Sequence, residues 1–311
     1  MNHKSKSPSD FGKVAVLMGG NAAEREVSLK SGKAVLEALR HVGVDAVGFD
    51  VQDNLIEPLV GGAFDRVFNI IHGRGGEDGQ LQGALEVLGV PYTGSGVLAS
   101  ALSMDKLRTK LCWRGAGLAT PPWMMISSEE DLKVCDKELG YPLIIKPAAE
   151  GSSIGMSRAS NWDELMEAWK VASLYNCDVF AESWVTGSEY TVAVLGGVPL
   201  PLIRLETPNS FYDFDAKYRS NSTKYHCPCG LDQERESSYQ QLAAKACEVV
   251  GVKGWGRVDM MVDQTGAPWL IEVNTVPGMT DHSLVPMAAK NAGMSFEELV
   301  IRILETSFED K

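Results

Sequence analysis

No run of apolar residues in this chain approaches the ~20 that cross a bilayer, which argues against a membrane partner. No G-x-x-x-x-G-K-[ST] loop occurs anywhere, which excludes a Walker-type phosphate site. Basic residues are in deficit: Lys and Arg number 29 against 41 Asp and Glu, a net charge of −12. A general nucleic-acid binder needs a basic surface, so that class is set aside, and any phosphate held here is held by a few local lysines. The six cysteines are scattered and have no secretory context, so a reduced, cytoplasmic chain is expected rather than a disulfide framework. The one tight cluster, His226-Cys227-Pro228-Cys229, lacks a fourth ligand at finger-like spacing. Residues 1–10 are polar and basic without an apolar core, so a flexible tail is expected and not a signal peptide. Gly94-Ser95-Gly96-Val97-Leu98-Ala99 has the form of a dinucleotide fingerprint. The acid that should follow about 20 residues on is missing, and the fingerprint is rejected.

What is present is an ordinary globular composition, 44% hydrophobic and 23% charged, over 311 residues. That length fits two or three compact units. Val14-Ala15-Val16-Leu17-Met18 is a continuous apolar run ending in Gly19-Gly20, a buried parallel strand meeting a tight turn. Residues 24–40 carry a helical apolar face. Residues 44–49 and 66–71 read as further strands and residues 81–88 as a helix. Alternating strands and helices give a parallel α/β unit whose ligands sit beyond the carboxyl ends of its strands. Glu24 and His72 fall at that edge. Each has a plain reading, a first-turn helix acid and a satisfied loop histidine. Together they would form an ammonium anchor and a polar contact for a small zwitterion.

The stretch 104–110 reads as helical, and Pro121-Pro122 breaks the chain. Tyr141-Pro142-Leu143-Ile144-Ile145-Lys146-Pro147 is a strand with a lysine in apolar surroundings. A lysine before proline is commonly an edge residue. The loop that follows, Ala148-Ala149-Glu150-Gly151-Ser152-Ser153-Ile154-Gly155, lets backbone N–H groups approach an anion, so it reads as a phosphate cover, with a plain hairpin as the alternative. The apolar hinge after residues 179–185 suits an adenine ring, and Glu189 suits ribose hydroxyls.

Gly254-Trp255-Gly256-Arg257-Val258-Asp259 and Glu272-Val273-Asn274-Thr275-Val276-Pro277-Gly278-Met279 read as adjacent strands with polar ends. Alternation puts Arg257 and Asp259 on one face, and likewise Glu272 and Asn274. The oxygen set Asp259, Glu272 and Asn274 suits a hard cation such as Mg²⁺, held by carboxylates together with substrate phosphates. Arg257 beside it is placed to neutralise charge that develops in a reaction. The plain alternative is two ordinary strands with exposed polar ends.

Taken in order, Gly19-Gly20 with Glu24-Arg25-Glu26-Val27-Ser28, His72-Gly73, Met104-Asp105-Lys106, Lys146-Pro147 with Glu150-Gly151-Ser152-Ser153, Gly256-Arg257-Val258-Asp259 and Glu272-Val273-Asn274-Thr275 resemble the D-alanine–D-alanine ligases, ATP-grasp enzymes of bacterial cell-wall synthesis. The likeness spans residues 11–304. It implies an α/β ATP-grasp fold of three units: a Rossmann-like substrate unit at 11–103, a central unit at 104–188, and a C-terminal unit at 189–311 with a lid loop at 205–225. ATP would lie between the last two.

The resemblance also implies roles. Lys106, Lys146 and Lys217 match ATP-phosphate lysines, with Ser153 in the phosphate loop. Glu182 and Val185 match adenine contacts and Glu189 the ribose acid; Ser183 stands where the family usually carries a charge. Asp259, Glu272 and Asn274 match a two-magnesium site that Mn²⁺ can fill. Glu24 and His72 match contacts to the first D-alanine, and Ser283 and Leu284 the groups that take the second carboxylate. Arg257 and the Gly278 amide match an oxyanion cradle. Tyr218 joins Ser152 and Glu24 in a hydrogen-bonded set, and tyrosine there favours an amine acceptor over a hydroxy acid. Family members are commonly homodimers. Two other readings stay open: the same fold with D-lactate or D-serine as acceptor, and a nucleotide-binding module without turnover. The second is disfavoured because every charged participant is present.

Overall fold

The computed structural model describes residues 6–52, 59–60, 62–207 and 223–309. The first apolar run forms β1 (Val14–Gly19), buried along its whole length. Helix α1 (Arg25–His41), β2 (Ala46–Val51), β3 (Arg66–Asn69) and α2 (Gln80–Leu88) follow. The sheet is parallel, in the order β2-β1-β3. β2 lies two residues later than the alternation predicts. β3 stops at Asn69 because that side chain turns back to accept from Ile71 N at 3.0 Å. Gly19 and Gly20 adopt φ of +89° and +80°, the left-handed backbone that lets β1 turn sharply into α1. Ser28, buried on α1, fixes this turn: its Oγ accepts from Gly19 N at 2.9 Å and donates to Ile70 O at 2.6 Å.

The stretch 104–110 is not one helix. α3 (Val97–Met104) ends and α4 (Lys106–Gly115) begins at Asp105, which is extended and whose Oδ1 accepts from Arg108 N. A second sheet then forms from β4 (Trp123–Ile126), β5 (Leu143–Pro147), β6 (Ser157–Ala159) and β7 (Val179–Ser183), with α5 (Glu129–Glu138) and α6 (Trp162–Ala172) between them. Its order is β4-β7-β5-β6, all antiparallel. Lys146 is therefore on an interior strand; it lies opposite Phe180 on β7, and the pairing with β6 ends at Ile145.

The third sheet contains β8 (Gly187–Leu195), β9 (Val198–Pro199), β10 (Ile203–Glu206), β11 (Lys224–His226), β12 (Trp255–Asp263) and β13 (Pro268–Asn274), with α7 (Gln233–Val250) after β11. The order is β11-β10-β8-β12-β13, with β9 beside β8. The ends of the expected lid belong to this sheet: Leu205 pairs with Tyr225 and Glu206 with Lys224. α8 (Leu284–Asn291) and α9 (Phe296–Glu305) close the chain. α9 starts with the expected capping box of Ser295 and Glu298. Both helices join Val16, Leu39 and Trp255 in one hydrophobic cluster, which ties the last segment to the first sheet.

The β12–β13 pairing has one irregularity. Asp259 faces Glu272, but Met260 faces Leu270, so Ile271 has no opposite residue. This is a β-bulge, a device that re-aims side chains.

Candidate active site

Register turns the two expected pairs of polar residues into one group. Arg257 lies opposite Asn274 and Asp259 opposite Glu272, so all four side chains share a sheet face. Arg257 grips Asp259 with two bonds, Nε to Oδ1 at 2.8 Å and Nη2 to Oδ2 at 2.6 Å. Thr191, opposite Asp259 on β8, donates to Oδ1 at 2.6 Å, and Asn274 Nδ2 donates to Oδ2 at 3.1 Å. Glu272 Oε2 lies 3.3 Å from Lys106 Nζ, which also donates to Glu150 O at 2.6 Å. Among the described residues no three His, Cys, Asp or Glu side chains gather as a metal cage. Two carboxylates and an amide on one face nonetheless fit Mg²⁺, an ion held by few protein ligands and completed by phosphates. Arg257 also lies on Asp259, so an ion there would share that carboxylate with the guanidinium.

On one side of this quartet a cavity is lined by Glu24, His72, Glu77, Ser152, Gly278 and Ser283, among others. Glu24 precedes the first turn of α1 but its carboxylate does not cap the helix. Its Oε1 accepts instead from Ser152 Oγ at 2.7 Å. A Cβ on Gly73 would sit 2.5 Å from Glu24 Oε2, and one on Gly151 would sit 2.4 Å from Oε1. Two glycines from separate loops thus make room for this carboxylate. Ser152 and Ser153 have φ of 52° and 60°, a strained backbone for serine that commonly marks functional loops.

His72 is buried, and its Nε2 has no hydrogen-bond partner among the described residues. Burial pulls the imidazole down to about 4; Arg257 adds to the fall and a hydrogen bond to the Val276 backbone opposes it. Glu77 bridges two loops: it accepts from Gly73 N at 2.6 Å and from Val276 N at 3.1 Å. Burial and then the nearby Glu24 push it up to about 8, against the two backbone donors and Arg257. Ser283 and Leu284 stand at the start of α8, where unpaired N–H groups favour an anion. Thr280 N donates to Ser283 Oγ at 2.9 Å, which fixes the approach to that helix.

On the other side, a second cleft is lined by Lys146, Ser153, Glu182, Val185, Glu189 and Glu272, with apolar walls from Ile144, Met261 and Ile271. Glu272 lines both spaces, so the two are contiguous. Glu182 is buried between two lysines, Lys146 Nζ at 2.8 Å and Lys110 Nζ at 2.5 Å. Burial alone would raise this carboxyl, but Lys110 and Lys146 outweigh it and hold the group below the ordinary range.

A family model described as the D-ala D-ala ligase C-terminus matches residues 112–305, and one described as its N-terminus matches residues 53–95. The chain is 70% identical to a D-alanine–D-alanine ligase of Methylococcus capsulatus, over 99% of this chain and all of the relative. The chain belongs to the D-alanine–D-alanine ligase family. The corresponding protein of Stutzerimonas stutzeri is 57% identical over 98% of this chain and 97% of its own. Among solved structures, VanG D-Ala:D-Ser ligase of Enterococcus faecalis superposes with a TM-score of 0.84 at 30% identity, covering 95% of this chain and 99% of that one. The Bacillus anthracis D-alanine–D-alanine ligase complexed with ATP gives 0.82 at 32%, covering 95% and 96%. The fold is the ATP-grasp architecture that the motifs implied.

Within this ligase family fold, the sequence-derived residues fall into the two joined spaces. Glu24, His72, Ser152, Arg257, Gly278, Ser283 and Leu284 border the first. Lys146, Ser153, Glu182, Val185, Glu189 and Asp259 border the second. Lys106 borders the first beside Glu272. Lys217 and Tyr218 lie outside the described residues. Sequence reasoning missed Glu77, Lys110 and Thr191. Glu77 sits in a glycine-rich loop that gave no sign of its partners. Thr191 had a usable signal, because it lies two residues after Glu189 on the same strand face. Lys110 also had one, four residues after Lys106 on a helix.

Proposed function

We propose that the protein uses ATP to join two D-alanine molecules into D-alanyl-D-alanine, releasing ADP and phosphate and supplying peptidoglycan precursors. The observation that carries this is the quartet of Arg257, Asp259, Glu272 and Asn274 at the junction of a nucleotide-sized cleft and a polar substrate cavity. A carboxylate of the first D-alanine attacks the γ-phosphorus, and ADP leaves. The amine of the second then attacks the acyl phosphate carbonyl, the ammonium proton is lost, and phosphate departs as the peptide bond forms.

In this reading Lys106, Lys146 and Lys217 hold the phosphates, and Ser153 closes on them. Glu182, Val185 and Glu189 receive the adenosine. Glu24 and His72 hold the first D-alanine; a neutral His72 offers a dipole and no second charge. Ser283 and Leu284, at the head of α8, receive the second carboxylate. Arg257 and the Gly278 amide stabilise the tetrahedral oxyanion. Asp259, Glu272 and Asn274 would hold Mg²⁺, or Mn²⁺ in its place, whose chemistry when bound would be to offset phosphate charge. Ser152, Glu24 and Tyr218 link the phosphate loop, the anchor and the lid, and a closed lid keeps water from the acyl phosphate.

The proposed units are a substrate unit at 11–103, a central unit at 104–188 and a C-terminal unit at 189–311; the last bound falls inside β8, and Pro8–Phe11 form a short capped 3-10 helix where the sequence predicts a flexible tail at 1–10. A cytoplasmic setting suits six cysteines that are all free thiols. No helix among the described residues is long and apolar enough to cross a membrane.

Incubation with ATP, Mg²⁺ and D-alanine, alone and with D-serine or D-lactate, tests the reaction. The expected result is D-alanyl-D-alanine with matched phosphate release, lost on chelation with EDTA. No phosphate release with any D-amino acid would sink the reading; preferred use of D-serine or D-lactate would replace the acceptor only.

A homodimer is also proposed. Val87 on α2, Leu98 on α3 and Leu111 on α4 are 89%, 72% and 50% exposed, apolar side chains on three successive helices that a partner copy would cover. Leu98→Glu is expected to shift the sedimentation coefficient from dimer to monomer. A single species of unchanged size in both proteins would remove this face as the interface.

A further inference from the structure

Lys110 is a fully buried ammonium for which the reaction described above has no use. It lies one turn after Lys106 on α4, on the same side of the helix. Lys106 turns towards Glu272, whereas Lys110 reaches Glu182. Lys110 Nζ also donates to Thr120 Oγ1 at 2.6 Å, and that hydroxyl donates to Leu270 O at 2.9 Å. Thr120 therefore fixes the ammonium without adding charge. Glu182 Oε1 takes Lys146 Nζ from the other side. The result is a buried trio of two cations and one anion.

A single buried carboxylate needs only one cation, and burying a second is costly. The second has a purpose if the first must leave. Lys146 is one of the nucleotide-phosphate lysines of the proposed site, and at the phosphates it cannot also be the sole partner of Glu182. With Lys146 as the only partner, its departure would leave Glu182 as an uncompensated buried charge, a state strongly disfavoured. Lys146 would then stay on Glu182 at the phosphates' expense.

We infer that Lys110 is a positioning residue: a fixed second cation that keeps Glu182 paired and so releases the Lys146 ammonium to nucleotide phosphates. The inference rests on the nucleotide reading of this cleft and adds to it a residue that touches neither base nor phosphate. It makes a claim that packing alone does not. Loss of Lys110 weakens the hold on phosphates selectively, and neutralising Glu182 repairs the loss.

The test is calorimetric titration of the whole chain with ATP and, separately, adenosine. Lys110→Met is expected to weaken ATP roughly tenfold or more, the scale set by a stranded buried charge, with a much smaller change for adenosine. Lys110→Met with Glu182→Gln is expected to restore the ATP-to-adenosine affinity ratio, because an amide no longer retains Lys146. Equal weakening of both ligands by Lys110→Met, or no recovery of the ratio in the double variant, would overturn the inference and leave the site standing. Failure of the unsubstituted protein to bind ATP would overturn both. If Lys110→Met does not fold, Glu182→Gln alone serves: the ratio is expected to rise above that of the unsubstituted protein, and a fall or no change refutes the role.

Discussion

Arg257→Ala is expected to lower turnover by roughly two orders of magnitude or more while ATP affinity changes little, the pattern of a lost oxyanion donor. The side chain is held on β12 by its two bonds to Asp259, so its direction is fixed before any substrate arrives. Preorganisation of this kind is what makes such a donor effective. Arg257→Lys is a useful second variant, because it keeps the charge and loses the planar fork. It should recover only part of the activity. Removing Arg257 also takes a cation from Asp259, which keeps Thr191 and Asn274 as donors. Steady-state kinetics with ATP and D-alanine varied in turn separates the two effects. A fall in kcat at near-constant KM for ATP supports the role in the second step, and near-normal kcat would refute it.

Glu77→Gln is expected to flatten the pH dependence of stability between about pH 6.5 and 8. The folded protein holds the Glu77 carboxyl at about 8, well above its ordinary 4.5. Native protein therefore keeps a proton that unfolded chain has released. The stability this gives is complete below pH 4.5 and is lost as pH rises through 8. His72 has the opposite sign: held at about 4 against an ordinary 6.5, its contribution is present above 6.5 and is lost as pH falls through 4. The two oppose each other between 4.5 and 6.5. Lys110, lowered from 10.5 to about 8 by burial, acts above that. The interval from 6.5 to 8 therefore belongs mainly to Glu77. Thermal unfolding of both proteins at several pH values across it is the measurement. Parallel curves would show that Glu77 does not carry the proton.

Much of the site is legible in the amino-acid sequence alone. The glycine turn, the strand lysine and the polar ends of two strands are local patterns, written in consecutive residues. What escapes such a reading depends on residues far apart in the chain. Glu77 takes its second donor from Val276, 199 positions away, and no local pattern foretells that bond. The spacing of Lys110 from Lys106 is local, but its partner Glu182 reaches it only through the placing of β7. The plain edge alternative for Lys146 is set aside only by strand order, which tertiary contacts decide. Around Asp105 the limit is different: its cap starts α4 at Lys106, inside the stretch 104–110 expected as helical.

β13 has one residue more than its partner has places for. Striking Ile271 from the count would leave Asp259 opposite Glu272 and Met260 opposite Leu270, an uninterrupted ladder with the same acids facing each other. The hairpin can thus be aligned without Ile271, and the added residue gives the cleft an apolar wall directly before its acid. On the nucleotide reading proposed for this cleft, strand length here is set by the cleft and not by the sheet. Among relatives of this chain, a gap at this position would signal a changed fit to the base long before it signalled a changed fold.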